Sequence, residues 1–111
     1  MANVFKLKTK NAILTSAETL YTAQASKTAV VLGLVLANKG TATVKATVTL
    51  ESDTSDTETN ADVEVLTTTP IPGNSSLELL SGNKIVLQTT DLFKVYATGA
   101  VDVTLSIMEI T

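Results

Sequence analysis

The sequence contains neither cysteine nor histidine among its 111 residues. Without thiol and imidazole groups the chain cannot form disulfides, Ser–His–Asp or Cys–His catalytic arrangements, or the zinc sites that depend on those ligands. Carboxylates remain, but a pair that cleaves glycosidic bonds must be held at a fixed distance across a cleft. Most carboxylates here fall in one loop or on the polar faces of predicted strands. We therefore expect no catalytic, cofactor-binding or metal-binding residues, no cofactor and no enzymatic activity.

Aromatic and charged residues are also scarce. Aromatics make up 4% of the chain and tryptophan is absent, so the core must be aliphatic. The eight basic residues are scattered and the net charge is −3, which does not fit a nucleic-acid surface. Residues Met1–Lys6 lack the pattern of a secretory signal, and the longest apolar run is shorter than the about 20 residues of a membrane helix. These features predict a chain made in a cytoplasm, with neither nucleic acid nor a membrane as partner.

Threonine is abundant, at about one residue in six, and suits the solvent side of a β-sheet. The longest apolar run is Thr28–Asn38, TAVVLGLVLAN. Its valines, its short length and the turn residues that end it favour a strand over a helix. Because the run has no polar face, we interpret it as a central strand covered on both faces. We expect Val35→Asp to abolish folding, since it would bury an unpaired charge there.

Alternation of apolar and polar residues indicates further strands. Segment Ala42–Glu51 alternates throughout, and the final segment Val101–Ile110 places four aliphatic residues inward. Those four are Val101, Val103, Leu105 and Ile107. About eight to ten short strands separated by Gly, Pro, Asn and Ser turns predict an all-β chain, with residues 1–111 forming one antiparallel β-sandwich domain, jelly-roll-like or immunoglobulin-like. Met108 and Ile110 put apolar side chains on the polar face of the last strand, which is typical of a partner surface.

The segment Ser52–Asn60, SDTSDTETN, contains no apolar residue and is interpreted as an exposed hairpin loop. Its acidic residues, with one just beyond it, are Asp53, Asp56, Glu58 and Asp62. Calcium binding is one hypothesis, but the segment lacks the glycine and the terminal glutamate of an EF-hand loop. We favour a solvated loop tip. We expect deletion of Ser52–Asn60 to leave the fold intact, because loop length changes closure entropy little.

Three other groups of residues allow a binding or a structural interpretation. Segment Pro70–Leu87 could form a stiff ligand loop, but we favour a corner between the sheets. The alternation in Glu18–Ala23 places Leu20 with Thr22 on one side and Thr19 with Tyr21 on the other. Tyr21 and Tyr96 could stack on sugars, but the absence of tryptophan argues against a carbohydrate platform. On the first predicted strand, Lys6, Lys8 and Lys10 could meet an acidic partner, but protection of a sheet edge is the favoured role.

The order of these motifs resembles a group of small virion proteins of tailed bacteriophages. The resemblance rests on the opening MANVFK, the LYTA that follows a Thr/Ser stretch, the VVLGLVLAN strand, PIPGNSSLELLSGNKIVL and the closing VDVTLSIMEIT. It covers nearly the whole chain, and the acidic insertion Ser52–Asn60 departs from it.

This resemblance implies a non-enzymatic structural subunit located in the virion, with other virion proteins as partners. A capsid decoration (cement) protein that contacts the major capsid protein is the favoured expectation, and a homo-oligomer is expected. A neck, tail or fibre-attachment protein, a receptor- or glycan-binding module and a free cytoplasmic regulator remain alternatives.

Overall fold

The computed structural model describes residues 3–13, 16–55, 57–80 and 83–111. These residues form strands and turns, and none of them lies in a helix that could span a membrane. The strands are β1 (Asn3–Ile13), β2 (Glu18–Thr22), β3 (Thr28–Asn38), β4 (Val44–Glu51), β5 (Val63–Ile71), β6 (Ser75–Glu78), β7 (Ile85–Leu87), β8 (Leu92–Ala97) and β9 (Val101–Ile110).

The strands form two antiparallel sheets. Sheet 1 has the order β1-β9-β3-β6, with β7 paired to the other half of β3, and sheet 2 has the order β2-β8-β4-β5. The pairs β1–β9, β2–β8 and β4–β5 therefore nest inside one another, as in a long hairpin that has been rolled up, which is the jelly-roll arrangement. An immunoglobulin sandwich keeps its first two strands in one sheet, whereas β1 and β2 here lie in different sheets. The predicted antiparallel β-sandwich is confirmed, and its strand order matches the jelly-roll alternative.

The core lies between the two sheets and is almost wholly aliphatic. The four residues predicted to face inward on β9 are buried: Val101, Val103, Leu105 and Ile107 are each at most 1% exposed. Across from them, β4 and β8 contribute buried residues at alternate positions. These are Val44, Ala46, Val48, Phe93, Val95 and Ala97. Burial of aliphatic area at about 25 cal/mol per Å² drives the two sheets together.

Strand β3 differs from its prediction, because it is not covered on both faces. Its inward residues are buried, whereas Val30, Val35 and Ala37 are only half-buried on the outer face. The inward residues are Ala29, Val31, Leu34, Leu36 and Asn38. A bulge between Val31 and Gly33 adds one residue, which moves the inward positions from odd to even numbers. The sequence of this strand shows no period-two pattern because its outer positions are apolar as well, and the bulge in addition exchanges the two faces midway along the strand.

The outer position of Val35 removes the basis for one expectation. Val35 lies opposite Thr104 on β9 and Glu78 on β6, on a face that the described residues leave uncovered. A carboxylate at this position would remain near water and would not be buried in the core. The expectation that Val35→Asp abolishes folding assumed that this side chain is buried on both faces, and that assumption is wrong.

The segment predicted as a corner carries the chain from sheet 2 to sheet 1, between β5 and β6. Gly73 lies so close to the carbonyl oxygen of Thr41 that a side chain would collide with the backbone. The buried amide of Asn38 donates hydrogen bonds to the carbonyl oxygens of Ala42 (2.8 Å) and Ile71 (2.9 Å). These contacts hold the ends of β3 and β5 together. The corner interpretation of this part of Pro70–Leu87 is confirmed, while Ser81 and Gly82 lie outside the described residues.

Candidate interaction surface

The outer face of sheet 1 carries a row of apolar side chains that crosses four strands. In an antiparallel pair, residues directly opposite each other project from the same face. Phe5 pairs with Met108, Met108 with Val30, and Val30 with Val86. The inward neighbours of these residues on β9 and β3 are buried, so the row faces away from the core. We call this row, together with Leu7, the apolar face.

The apolar face is strongly exposed. Phe5 is 71% exposed, Leu7 64% and Val86 56%, and Met108 and Val30 are half-buried between them. A large exposed phenylalanine beside other apolar side chains is uncommon on the surface of a monomeric protein. The prediction that Met108 and Ile110 lie on the outer side of β9 is confirmed by their partial exposure. Their role as a partner surface stays a prediction.

The outer face of sheet 2 has a different character. On β4 its residues are threonines and charged groups, and Glu51 forms an ion pair of 3.1 Å with Lys94 on β8. Tyr96 is 38% exposed and lies opposite Thr47. Sheet 2 therefore presents the hydrated surface that the threonine-rich composition predicts, and the apolar face is confined to sheet 1.

A buried polar cluster joins the two sheets beneath the apolar face. Glu109 occupies an inward position on β9 and is 1% exposed. The hydroxyl of Tyr21, on β2 of the other sheet, donates a 2.6 Å hydrogen bond to its Oε2 atom. The ammonium groups of Lys6 and Lys27 lie 3.0 and 3.5 Å from its Oε1 atom. Both carboxylate oxygens are therefore paired, as a buried charge requires.

The cluster shifts the pKa values of two of its members. The hydrogen bonds from Tyr21 and Lys6 lower the pKa of Glu109 from its ordinary 4.5 to about 2, against the opposing effect of burial. Burial and the hydrogen bond to Glu109 raise the pKa of Tyr21 above its usual range. The carboxylate is thus charged and the phenol neutral at physiological pH. This arrangement suits a structural tie between sheets rather than proton transfer.

The cluster changes the interpretation of two sequence features. A bulge between Thr19 and Tyr21 turns both Leu20 and Tyr21 inward, so the predicted grouping of Tyr21 with Thr19 is wrong. Because Tyr21 is 6% exposed, it is not available to stack on a sugar. Lys6 pairs with Glu109 within the chain, and Lys10 approaches Glu18 at 3.9 Å. Both lysines are therefore engaged within the chain, and protection of the sheet edge stays a prediction.

The acidic loop is held at its base by a buried aspartate. Asp91 is 4% exposed, and its Oδ1 atom accepts hydrogen bonds from the hydroxyls of Ser52 (2.6 Å) and Thr54 (3.3 Å). Its Oδ2 atom accepts from the backbone amide of Gln88 at 3.0 Å. The predicted loop is thus confirmed as exposed at its tip, but its first residues are tied to the sandwich.

No group of three or more described acidic residues is arranged to hold a metal ion. Asp53 and Glu58 are exposed, and the carboxylate of Asp62 accepts a hydrogen bond from the backbone amide of Ser52 at 2.9 Å. Asp56 lies outside the described residues. Glu51, Ser52, Asp53 and Asp62 border an open depression of about 420 Å³. Calcium binding by the loop stays an untested hypothesis.

Sequence reasoning missed three buried polar residues: Asn38, Asp91 and Glu109. A signal for Glu109 was present, because the inward series Val101, Val103, Leu105, Ile107 continues to position 109. For Asp91 and Asn38 the sequence gives only turn chemistry, since both lie at strand ends. Their burial depends on loops that pack over them from distant parts of the chain.

Comparison with known proteins shows a similarity in fold but identifies no family. Neither a protein-family model nor a curated protein matches the sequence. A chain of the T13 IBDV viral particle superposes with a TM-score of 0.52 at 10% identity, covering 96% of this chain and 35% of the viral one. A subunit of the disulfide-linked pili of Bacillus endospore appendages gives 0.47 at 14% identity, covering 96% of this chain and 86% of its own.

The VP2 subviral particle of infectious bursal disease virus gives a TM-score of 0.41 at 11% identity, covering 95% of this chain and 37% of the viral one. The chain thus spans about a third of the length of the T13 particle chain that it resembles. At 10% identity the likeness concerns the fold alone. What the comparisons establish is that this chain shares a β-sandwich architecture with a chain of that viral particle.

Proposed function

We propose that the chain is a non-enzymatic structural subunit of a virus particle, and specifically a capsid decoration (cement) protein of a tailed bacteriophage. The observation that carries this proposal is the apolar face, which an isolated sandwich leaves exposed to water. A surface of this kind indicates that the chain works in an assembly. The motif resemblance to phage virion proteins supplies the kind of assembly, and the shared fold with a chain of the T13 IBDV particle agrees with it.

The rigidity of the sandwich suits this role. A subunit that binds at many equivalent sites of a symmetric shell needs only a modest affinity at each site, because linked copies bind with a high effective concentration. Sheets joined by a buried polar cluster and a fixed corner present their surfaces with little conformational freedom. We propose that the subunit is made in the host cytoplasm and then binds the major capsid protein on the shell.

The proposal is tested by quantitative mass spectrometry of density-purified particles from a culture that produces the chain. A decoration protein is expected at hundreds of copies per particle, because it follows the shell lattice, whereas a neck or tail ring holds about a dozen. A copy number near a dozen would support the neck, tail or fibre-attachment alternative and argue against capsid decoration. Absence from purified particles, with the chain present in the lysate, would refute a virion role.

Recognition of host glycans is the alternative from a different class. With Tyr21 buried, Tyr96 is the exposed tyrosine of the described residues, and it lies on a threonine-rich sheet. A glycan array probed with the purified chain tests this alternative. Binding that is lost in Tyr96→Ala would support the receptor-binding role in place of decoration.

A further inference from the structure

We propose that the apolar face is the contact between two copies of this chain, packed sheet to sheet around a twofold axis. In this arrangement Phe5 of each copy lies over the hollow formed by Gly33 and Ser106 of the other. The inference deepens the assembly role proposed above by naming the partner of the apolar face. It is tested on the isolated chain, so its failure and the failure of the virion role can be told apart.

The first argument is the charge of the face. On β1, β9 and β3 the outward positions carry no charged residue between Asn3 at one end and Thr104 at the other. Acidic residues on this side of sheet 1 begin only with Glu78 and Asp102 at the far end of the strands. The whole chain has a net charge of −3, so two copies repel each other in general. The apolar face is where they can approach without bringing like charges together.

The second argument is shape. Phe5 stands 71% exposed on the edge strand β1. In the next row, Leu7 pairs with Ser106, and Ser106 pairs with Gly33 across β9. Gly33 has no side chain, and a Cβ atom built on it would meet no atom within 4 Å other than those of its chain neighbours Leu32 and Leu34. The face is therefore lower here than at Phe5 and Leu7, and this low point is the hollow. A projecting side chain and a hollow on the same face are self-complementary, which a twofold contact requires.

The positions of Phe5 and Gly33 determine where the twofold axis passes. Phe5 lies on β1 and Gly33 on β3, with β9 between them. For each Phe5 to reach the other copy's Gly33, the axis must pass near Met108 and Ser106 on β9. The two sheets then face each other at about 10 Å, the ordinary separation of packed sheets.

The third argument is area. The whole outer face of sheet 1 consists of three strands of about ten residues with the shorter β6 and β7 beside β3. At about 4.8 Å between strands and 3.3 Å per residue it covers roughly 600 Å². A standard interface buries about 800 Å² on each partner, so a contact centred on the apolar face and extending over this outer face would be smaller than standard, as in a dimer of moderate affinity. No other described surface matches it, because the outer face of sheet 2 carries ion pairs and threonines. The same face of a second copy is therefore the best-fitting cover on this molecule.

The test is sedimentation velocity of the untagged chain between about 1 and 100 μM, where a dimer of micromolar affinity dissociates. The unaltered chain is expected to move from one to two copies across this range. Phe5→Asp should raise the dissociation constant about a hundredfold or more, because it places two unpaired charges in the contact. Tyr96→Asp is the matched control, since it makes the same kind of change on sheet 2, and it should leave dimerisation unchanged.

Gly33→Ala separates the contact from the stability of the fold. In the monomer the added methyl group meets no atom within 4 Å outside the chain neighbours of Gly33, so the thermal midpoint of the monomer should hold or rise slightly. In the dimer the same methyl group occupies the hollow, and we expect the dissociation constant to rise about tenfold through overpacking.

Three results would overturn the inference: a chain that stays monomeric up to about 100 μM, an oligomer with an odd number of copies, or association unaffected by Phe5→Asp. A chain that is abundant in particles but monomeric alone would refute this contact and leave the virion role intact. A chain that dimerises through this face but is absent from particles would support the contact and refute the virion role.

Discussion

At the scale of single residues, Glu109 determines how the two sheets are joined at the β1 side of the sandwich. Its carboxylate continues an inward series of four aliphatic residues and would be unstable there without partners. Tyr21 reaches it from the opposite sheet, and Lys6 reaches it from the neighbouring strand. The tie therefore links β9, at the end of the chain, with β1 and β2 at its beginning.

We predict that Glu109→Gln lowers the free energy of unfolding by about 2 kcal/mol, because a neutral amide cannot replace a charge-assisted acceptor for Tyr21, Lys6 and Lys27. Tyr21→Phe, which removes one hydrogen bond and keeps the ring, should lower it by about 1 kcal/mol. Urea denaturation followed by circular dichroism measures both. Equal stability of the Glu109→Gln and unaltered chains would show that the cluster contributes nothing.

The cluster also predicts a dependence of stability on pH. The pKa of Glu109 is about 2 in the folded chain against an ordinary value of 4.5, so the unfolded chain binds more protons between these values. The contribution of the cluster is fully present above pH 4.5 and disappears as the pH falls toward 2. Thermal melts from pH 7 to pH 2 should show that the difference in melting temperature between the unaltered chain and Glu109→Gln disappears between pH 4.5 and pH 2. A difference in melting temperature that stays constant with pH would contradict the lowered pKa of Glu109.

At the scale of elements, β3 and the acidic loop show where a local pattern succeeds and where it fails. The composition of β3 identified it as a strand, and its ends match the prediction. Its faces could not be assigned, because the bulge at Val31–Gly33 is set by pairing with β9 rather than by the run itself. The bulge in β2 misled the assignment of Tyr21 in the same way. By contrast, the alternation of Ala42–Glu51 and Val101–Ile110 placed Val44, Ala46 and Val48 and the four aliphatic residues of β9 correctly, although Ala42 precedes β4 and is exposed.

Adjacent residues of β3 provide a matched pair of substitutions. Leu34 is fully buried, whereas Val35 lies half-buried on the outer face. Leu34→Asp should prevent folding, since it buries a charge without a partner, and Val35→Asp should fold with a loss of about 1 kcal/mol. Circular dichroism and thermal melts distinguish the two. A folded Leu34→Asp chain, or an unfolded Val35→Asp chain, would reverse the assignment of the faces.

The acidic loop can be shortened at its tip but not at its base. The backbone amide of Asn60 donates to the carbonyl oxygen of Thr54 at 2.8 Å, so replacing residues 55–59 with Asn-Gly preserves this bond as a four-residue turn. We expect this variant to keep the stability of the unaltered chain. Deleting residues 52–60 should cost about 2 kcal/mol more, because Asp91 then loses the donors Ser52 and Thr54. Equal melting temperatures for the two variants would show that the bonds to Asp91 contribute little.

At the scale of the whole molecule, the sandwich follows from the number of short strands, but its strand order does not. The pairs β1–β9 and β2–β8 join segments from opposite ends of the chain, and no local pattern encodes such pairing. The same limit applies to the apolar face. The sequence marked Met108 and Ile110, yet Phe5, Val30 and Val86 join Met108 only through the register of four strands.

An assembly through this face predicts that the melting temperature rises with protein concentration, because dimerisation stabilises the folded state by mass action. Between about 5 and 200 μM we expect an increase of a few degrees for the unaltered chain and none for Phe5→Asp. High salt should leave the increase in place, since the face holds no charges to screen. Scanning calorimetry over the concentration series provides the measurement. A midpoint independent of concentration would argue against any assembly of the isolated chain.

The pairing of the first strand with the last has a practical consequence. Asn3 lies opposite Ile110, so a reporter domain or affinity tag added at either end emerges beside Phe5 and Met108. A bulky fusion partner there would obstruct the meeting of two copies whichever end carries it. The base of the acidic loop borders Val86, so an insertion there would also lie near the row of apolar side chains. The turn between β8 and β9 lies at the opposite end of β9 from Met108, and an insertion in it leaves that row clear.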